Sequence, residues 1–197
     1  MIIRLVLASV AFFSIAANAT LISGELNVDN QHWVYISTDD STQGDSISSG
    51  DNWGITDTFS HTLDAGTDYF LHIYAEDVGG IAGFLGNLFL DSSDHIFTNG
   101  TDTLLTNGTD WNVSTTGWSG YTTASTYGSN GVGPWGTQAA IDSSAQWIWS
   151  DDAHNHNETY FSVAINSVSS ASVPEPSTLI LLFIGIAGLG LSRARKA

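Results

Sequence analysis

The chain has 197 residues, with four Lys and Arg against twenty Asp and Glu, a formal net charge of −16 and no cysteine. Lack of cysteine excludes disulfides, thiolate catalysis and cysteine-bound zinc. All four basic residues (Arg4, Arg193, Arg195 and Lys196) lie near the two ends, so residues 20–173 hold no Lys or Arg to meet a phosphate, and nucleic acid or nucleotide binding is excluded as their role.

In chain order, residues 1–19 read as a secretory signal peptide: Arg4 is a short basic n-region, Leu5 to Ala17 an apolar h-region, and Ala17-Asn18-Ala19 a small-x-small cleavage site. Cleavage there places the mature start at Thr20. Residues 20–165 read as β-structure throughout. Gln31 to Thr38 alternates, with Trp33 and Tyr35 on one face and Val34 and Ile36 on the other. Thr67 to Glu76 repeats the pattern, with Tyr69, Leu71, Ile73 and Ala75 opposite Phe70, His72 and Tyr74. Further strands are predicted at Leu21 to Val28, Ile55 to Leu63, Phe84 to Leu90, Thr103 to Leu105, Gln146 to Trp149 and Thr159 to Ile165. Turn signals separate them: Asp64-Ala65-Gly66-Thr67, Gly79-Gly80, Asn99-Gly100 and Asn107-Gly108. The repeated Thr-Asn-Gly-Thr-Asp at 98–102 and 106–110 is read as two similar turns around one strand. Residues 115–136, rich in Ser, Thr, Gly and Tyr, are expected to be long loops. The fold class that follows is an all-β antiparallel sandwich or jelly roll.

Residues 166–172 read as a polar linker. Residues 173–197 carry Pro174-Glu175-Pro176, an apolar run from Thr178 to Leu191, and the basic cluster Arg193, Arg195 and Lys196. The run spans about two-thirds of a ~30 Å hydrocarbon core. Its place before a basic cluster, and Gly185, Gly188 and Gly190 within it, point to a C-terminal transmembrane helix that stops at the cytoplasmic face.

These tail residues together resemble the PEP-CTERM sorting domain. The resemblance implies export by the secretion machinery through the inner membrane of a Gram-negative bacterium. It further implies recognition near Pro-Glu-Pro by an exosortase, membrane anchoring by the tail, and delivery to the cell surface or an exopolysaccharide and biofilm matrix. The body is similar, over most of its length, to galactose-binding-domain-like β-sandwiches. The likeness rests on Val28-Asp29-Asn30 with Val34-Tyr35-Ile36, Leu63-Asp64-Ala65-Gly66 before Phe70-Leu71-His72-Ile73-Tyr74-Ala75, and Gly80-Ile81-Ala82-Gly83-Phe84. Asp110-Trp111-Asn112-Val113-Ser114 and Gln146-Trp147-Ile148-Trp149 with Tyr160-Phe161 complete it. It departs from many relatives in having Ser162 where they place an arginine.

Three sets of residues stand out as candidate sites. Trp53, Trp118 and Trp135 sit in Gly-, Ser- and Asn-rich segments and are expected to be exposed platforms on which a polysaccharide stacks. Trp33, Trp147 and Trp149 are expected in packing, and Trp111 is open. Asp39, Asp40 and Asp45, with Asp51 near, are a candidate Ca²⁺ loop, as are Asp91 and Asp94, although neither has EF-hand spacing. His154 and His156 are a weaker candidate pair for Zn²⁺ or Cu²⁺ beside the reading of an exposed turn. No Gly-x-Ser-x-Gly, His-Glu-x-x-His, Walker or dinucleotide pattern occurs. The expectation is a non-catalytic carbohydrate-binding module, with a structural matrix protein or a glycan-active enzyme as the alternatives.

Overall fold

A computed structural model describes residues 19–168. The expected signal helix, the cleavage residue Ala17 and the tail with its Pro174-Glu175-Pro176 motif, basic cluster and transmembrane helix lie outside the described residues. Every regular element among those described is a β-strand, arranged as two antiparallel sheets packed face to face.

The first sheet holds β1 (Thr20–Asp29), β4 (Asp57–Leu63), β6 (Gly83–Leu90), β8 (Thr103–Leu105), β11 (Ser125–Ser129) and β12 (Gln146–Trp149). Their order is β11-β12-β6-β1-β4, and β8 shares with β12 the same edge of β6 at a different height. The second sheet holds β2 (Gln31–Ser37), β3 (Asp45–Gly50), β5 (Tyr69–Glu76), β7 (His95–Phe97), β9 (Asn112–Ser114), β10 (Thr122–Thr123) and β13 (Glu158–Ser167). Here the order is β10-β9-β13-β5-β2-β3, with β7 pairing the end of β13.

Alternation decides which side chains meet between the sheets. From the second sheet come Val34, Ile36, Leu71, Ile73, Phe161, Val163 and Ile165; from the first come Ile22, Leu26, Phe84 and Leu88, all buried. Phe161 is the hub of the aromatic part. It meets Phe84 at 5.1 Å and 64° and Trp149 at 5.5 Å and 65°, while Trp111 meets Phe84 at 5.1 Å and 88°. Edge-to-face pairs of this kind add about 0.5–1.5 kcal/mol each beyond their buried area. Trp111 is thereby a core residue, its indole N–H donating to the Leu105 carbonyl at 3.2 Å.

A second, smaller core lies on the outer face of the first sheet: Leu85, Trp135, Ile141, Ala145 and Trp147. Residues 130–145 cover that face as a flap. It is tied to the sheet by Asn27 Nδ2 donating to Gln138 Oε1 (3.1 Å), and braced internally by Asn130 Nδ2 donating to the carbonyls of Gln138 (2.9 Å) and Ile141 (2.8 Å).

Strands β3, β7, β9, β10 and β11 fall outside the strands expected from sequence, and one expected strand runs on. Strand β3 and strand β11 arise in Ser- and Gly-rich stretches with little strand propensity, because neighbouring strands supply the ladder. The last strand is longer than the expected Thr159 to Ile165. Strand β13 continues through Asn166 and Ser167, because the Asp68 carboxylate accepts both the Ser167 N–H and its hydroxyl at 2.7 Å. The two ends of the described chain meet at one pole. Thr20 Oγ1 lies 2.8 Å from His95 Nδ1, and His95 is strand-paired with Ser167.

Candidate functional site

The outer face of the second sheet carries an aromatic row that runs across the strands. Registers align Ser49 of β3 with Trp33, Trp33 with Tyr74, Tyr74 with Tyr160, and Tyr160 with Ser114 of β9. Trp33 stacks on Tyr74 (5.3 Å, 25°), and Tyr74 lies 4.9 Å from Tyr160. All three rings are half-buried. Trp33 also lines an open groove of about 420 Å³ with Gln31, Ser49, Gly50 and Asp51. From Trp33 to Tyr160 the row crosses two strand spacings, roughly 10 Å.

The next row toward the terminal pole is Tyr35, His72, Ser162 and Asn112, and Trp118 lies over it. Its ring stacks on the His72 imidazole (4.4 Å, 17°) and meets Tyr160 (5.0 Å, 86°) and Tyr35 (6.0 Å, 76°) nearly at right angles. His72 is held as the floor of this stack, with Nε2 3.0 Å from Asp40 Oδ1 and Nδ1 3.3 Å from the Gln43 carbonyl. The Ser162 hydroxyl donates to the same Asp40 oxygen. The loop that delivers Trp118 turns at Gly117, whose φ of +114° suits glycine alone, and Ser114 Oγ fastens it to the Ser119 carbonyl at 2.7 Å.

On the other side of the aromatic row lie Glu76 and Glu158, directly opposite each other on β5 and β13. They face the same side as Tyr74 and Tyr160, two residues along each strand. The Tyr74 hydroxyl is pushed up to about 12, first by burial and then by the charges of Glu158 and Glu76. Burial, with Glu158 adding to it, raises Tyr160 in the same direction.

The three tryptophans singled out by sequence do not form one platform. Trp118 joins the aromatic face. Trp53 is on the outer side of the first sheet, half-buried against the second core, with its carbonyl accepting from Asn27 Nδ2 at 2.7 Å. Trp135 is only 4% exposed, which corrects the expectation that nothing buries it. Its ring stacks on Trp147 (4.4 Å, 17°) and its N–H donates to Asp29 Oδ2 at 2.8 Å. Trp33, expected in packing, instead stands on the outward face. The alternation signalled this, since Val34 and Ile36 take the other side, but the partners Tyr74 and Tyr160 come from a register that sequence alone does not display.

The candidate metal residues are likewise separated. The Asp39 carboxylate accepts the Ser41 N–H and hydroxyl (2.9 and 2.7 Å), Asp40 is engaged by His72 and Ser162, and Asp45 opens strand β3. Among the described residues no three His, Asp or Glu converge to hold a metal ion, those of the expected Ca²⁺ loop at Asp39, Asp40 and Asp45 included. His154 and His156 diverge, the first toward the Gly80 carbonyl at 3.3 Å and the second toward Ser150 Oγ at 2.9 Å.

Outside the described residues, the family model of the PEP-CTERM protein-sorting motif matches residues 172–196. The match covers Pro174, Glu175, Pro176, Arg193, Arg195 and Lys196. No curated protein and no solved structure matches the chain.

Proposed function

From a chain that carries a PEP-CTERM sorting motif, and is therefore exported and handed to an exosortase at the membrane, we propose that the β-sandwich is a non-catalytic carbohydrate-binding module. It presents the Trp33–Tyr74–Tyr160 row, with Trp118 beside it, to polysaccharide at the cell surface or in the extracellular matrix. The observation that carries this reading is the row itself. Three half-exposed rings on three adjacent strands, with the exposed Ser49 on the strand beyond Trp33, suit a polymer lying across the sheet. Pyranose C–H faces meet the rings, and a flanking hydroxyl meets the exposed Ser49. The galactose-binding-domain-like resemblance of the sequence favours the same reading.

Binding without turnover is supported by the order of the polar groups. Asp40 stands between His72 and Ser162, so the histidine is not placed to take a proton from the serine. Glu76 and Glu158 sit side by side on one open face rather than across a cleft from each other.

The test is retention of the full chain on a polysaccharide panel, with Trp33→Ala and Tyr160→Ala beside Trp53→Ala. Loss of either ring in the row should weaken binding about tenfold or more, the effect of a hot-spot aromatic, and Trp53→Ala should leave it intact. Equal binding by all three variants would remove the row from the ligand site. No retention of the unaltered chain would leave the sandwich as a matrix spacer.

A further inference from the structure

Resting on the carbohydrate reading of this face, we propose that its polysaccharide carries free amino groups: the Glu76–Glu158 pair beside the aromatic row selects an amino-sugar polymer in its ammonium form. The two carboxylates are direct cross-strand partners, an arrangement that costs stability when no cation lies between like charges. Among residues 20–173 there is no Lys or Arg to supply one. Their charge reaches the rings: burial is the larger cause of the raised Tyr74 hydroxyl, and Glu158 and Glu76 add to it.

A ligand that stacks on Trp33, Tyr74 and Tyr160 therefore does so in a strongly negative field. A uronate or sulfated polymer is repelled there. A neutral polymer gains stacking alone. A glucosamine-type unit gains stacking from its ring face, cation–π attraction from its ammonium over the aromatic rings, and an ion pair with one or both glutamates. The carboxylates also lie within one residue pair of the rings along the same two strands, so a single sugar can meet both features.

The measurement is calorimetric titration of the full chain in detergent with four oligosaccharides of equal length: a β-linked glucosamine oligomer, its N-acetylated counterpart, a neutral glucan and a polyuronate. The probes are run at pH 6, where the amines are charged. The glucosamine oligomer should bind about tenfold tighter than the N-acetylated one, with most of that advantage lost at high salt. Glu76→Gln with Glu158→Gln should bring the two affinities together and leave N-acetylated binding in place. Removing two exposed acids elsewhere, Asp64→Asn with Asp102→Asn, should change nothing, which separates the site from general attraction of a polycation to an acidic protein.

Equal affinity for charged and acetylated oligomers, abolished by Trp33→Ala, would overturn the amino-group inference and keep the carbohydrate reading. A glucosamine preference that survives the double glutamine variant would overturn the inference as surface adsorption. Absence of binding to all four probes would overturn both.

Discussion

His32 occupies an unusual position for a titratable side chain. It points between the sheets, 1% exposed, and neither ring nitrogen has a hydrogen-bond partner; the nearest acid, Asp57, has its carboxylate oxygen 3.9 Å from Nε2. Burial pushes the imidazole down to about 4 from 6.5. The unfolded chain thus takes up a proton that the folded chain refuses. The stability concerned is fully present above pH ~6.5 and is lost as pH falls toward 4, on the order of 3 kcal/mol in all. Burial raises Asp57, so that group works in the opposite sense and offsets part of the loss. His32→Leu, which removes two unsatisfied nitrogens at similar volume, should keep or raise the melting temperature at pH 7.5. Thermal scans from pH 7.5 to 4.5 should show the wild type falling away from the variant below pH 6.5. Parallel profiles would mean that His32 is not held neutral.

The flap over the first sheet depends on one close approach. A Cβ on Gly83 would sit 2.7 Å from Trp135 Cζ2 and 2.9 Å from Trp147 Cε3, so the stacked indoles need bare backbone beneath them. Gly83→Val should release residues 130–145 from the sheet, and hydrogen exchange should rise at Asn130 and Gln138 while β5 and β13 stay protected. Trp135→Ala should destabilise the domain by about 3–5 kcal/mol, read from denaturant midpoints. A neutral result would place the indole outside the packed unit. Strands were legible where aliphatic and aromatic residues alternate, as in β2 and β5, and the paired Asn-Gly turns around β8 were legible from Asn99 and Asn107. Both asparagines accept the N–H and hydroxyl of the threonine two residues on. The flap was not legible. Trp135 lies in a stretch without alternation, and its partners are Trp147, across a loop that shows no pattern, and Asp29, 106 residues away in sequence. For the same reason the Trp33–Tyr74–Tyr160 row was hidden, since faces follow from one strand's pattern but neighbours follow from register.

At the scale of the molecule, nineteen of the twenty acids share the sandwich with no Lys or Arg, because only Glu175 lies in the tail. Self-repulsion therefore opposes the fold, and salt screens it. Residues 19–168 hold both cores and both sheets, and should unfold in one cooperative transition without the sorting tail. Its midpoint should rise by about 2–5 °C between 10 mM and 0.5 M NaCl at pH 7.5. A midpoint that falls with salt would show that the carboxylates are compensated within the fold. The meeting of Thr20 and Ser167 at one pole has a mechanical consequence. Strand β13 lies inside its sheet, between β5 on one edge and β9 and β7 on the other. Tyr160 is near its start and Ser167 at its end. A polymer gripped at the aromatic row and an anchor pulling through Ser167 would load β13 along its own length, in shear. The bonds of both flanking ladders then resist together, whereas an edge strand under the same tension would peel one bond at a time.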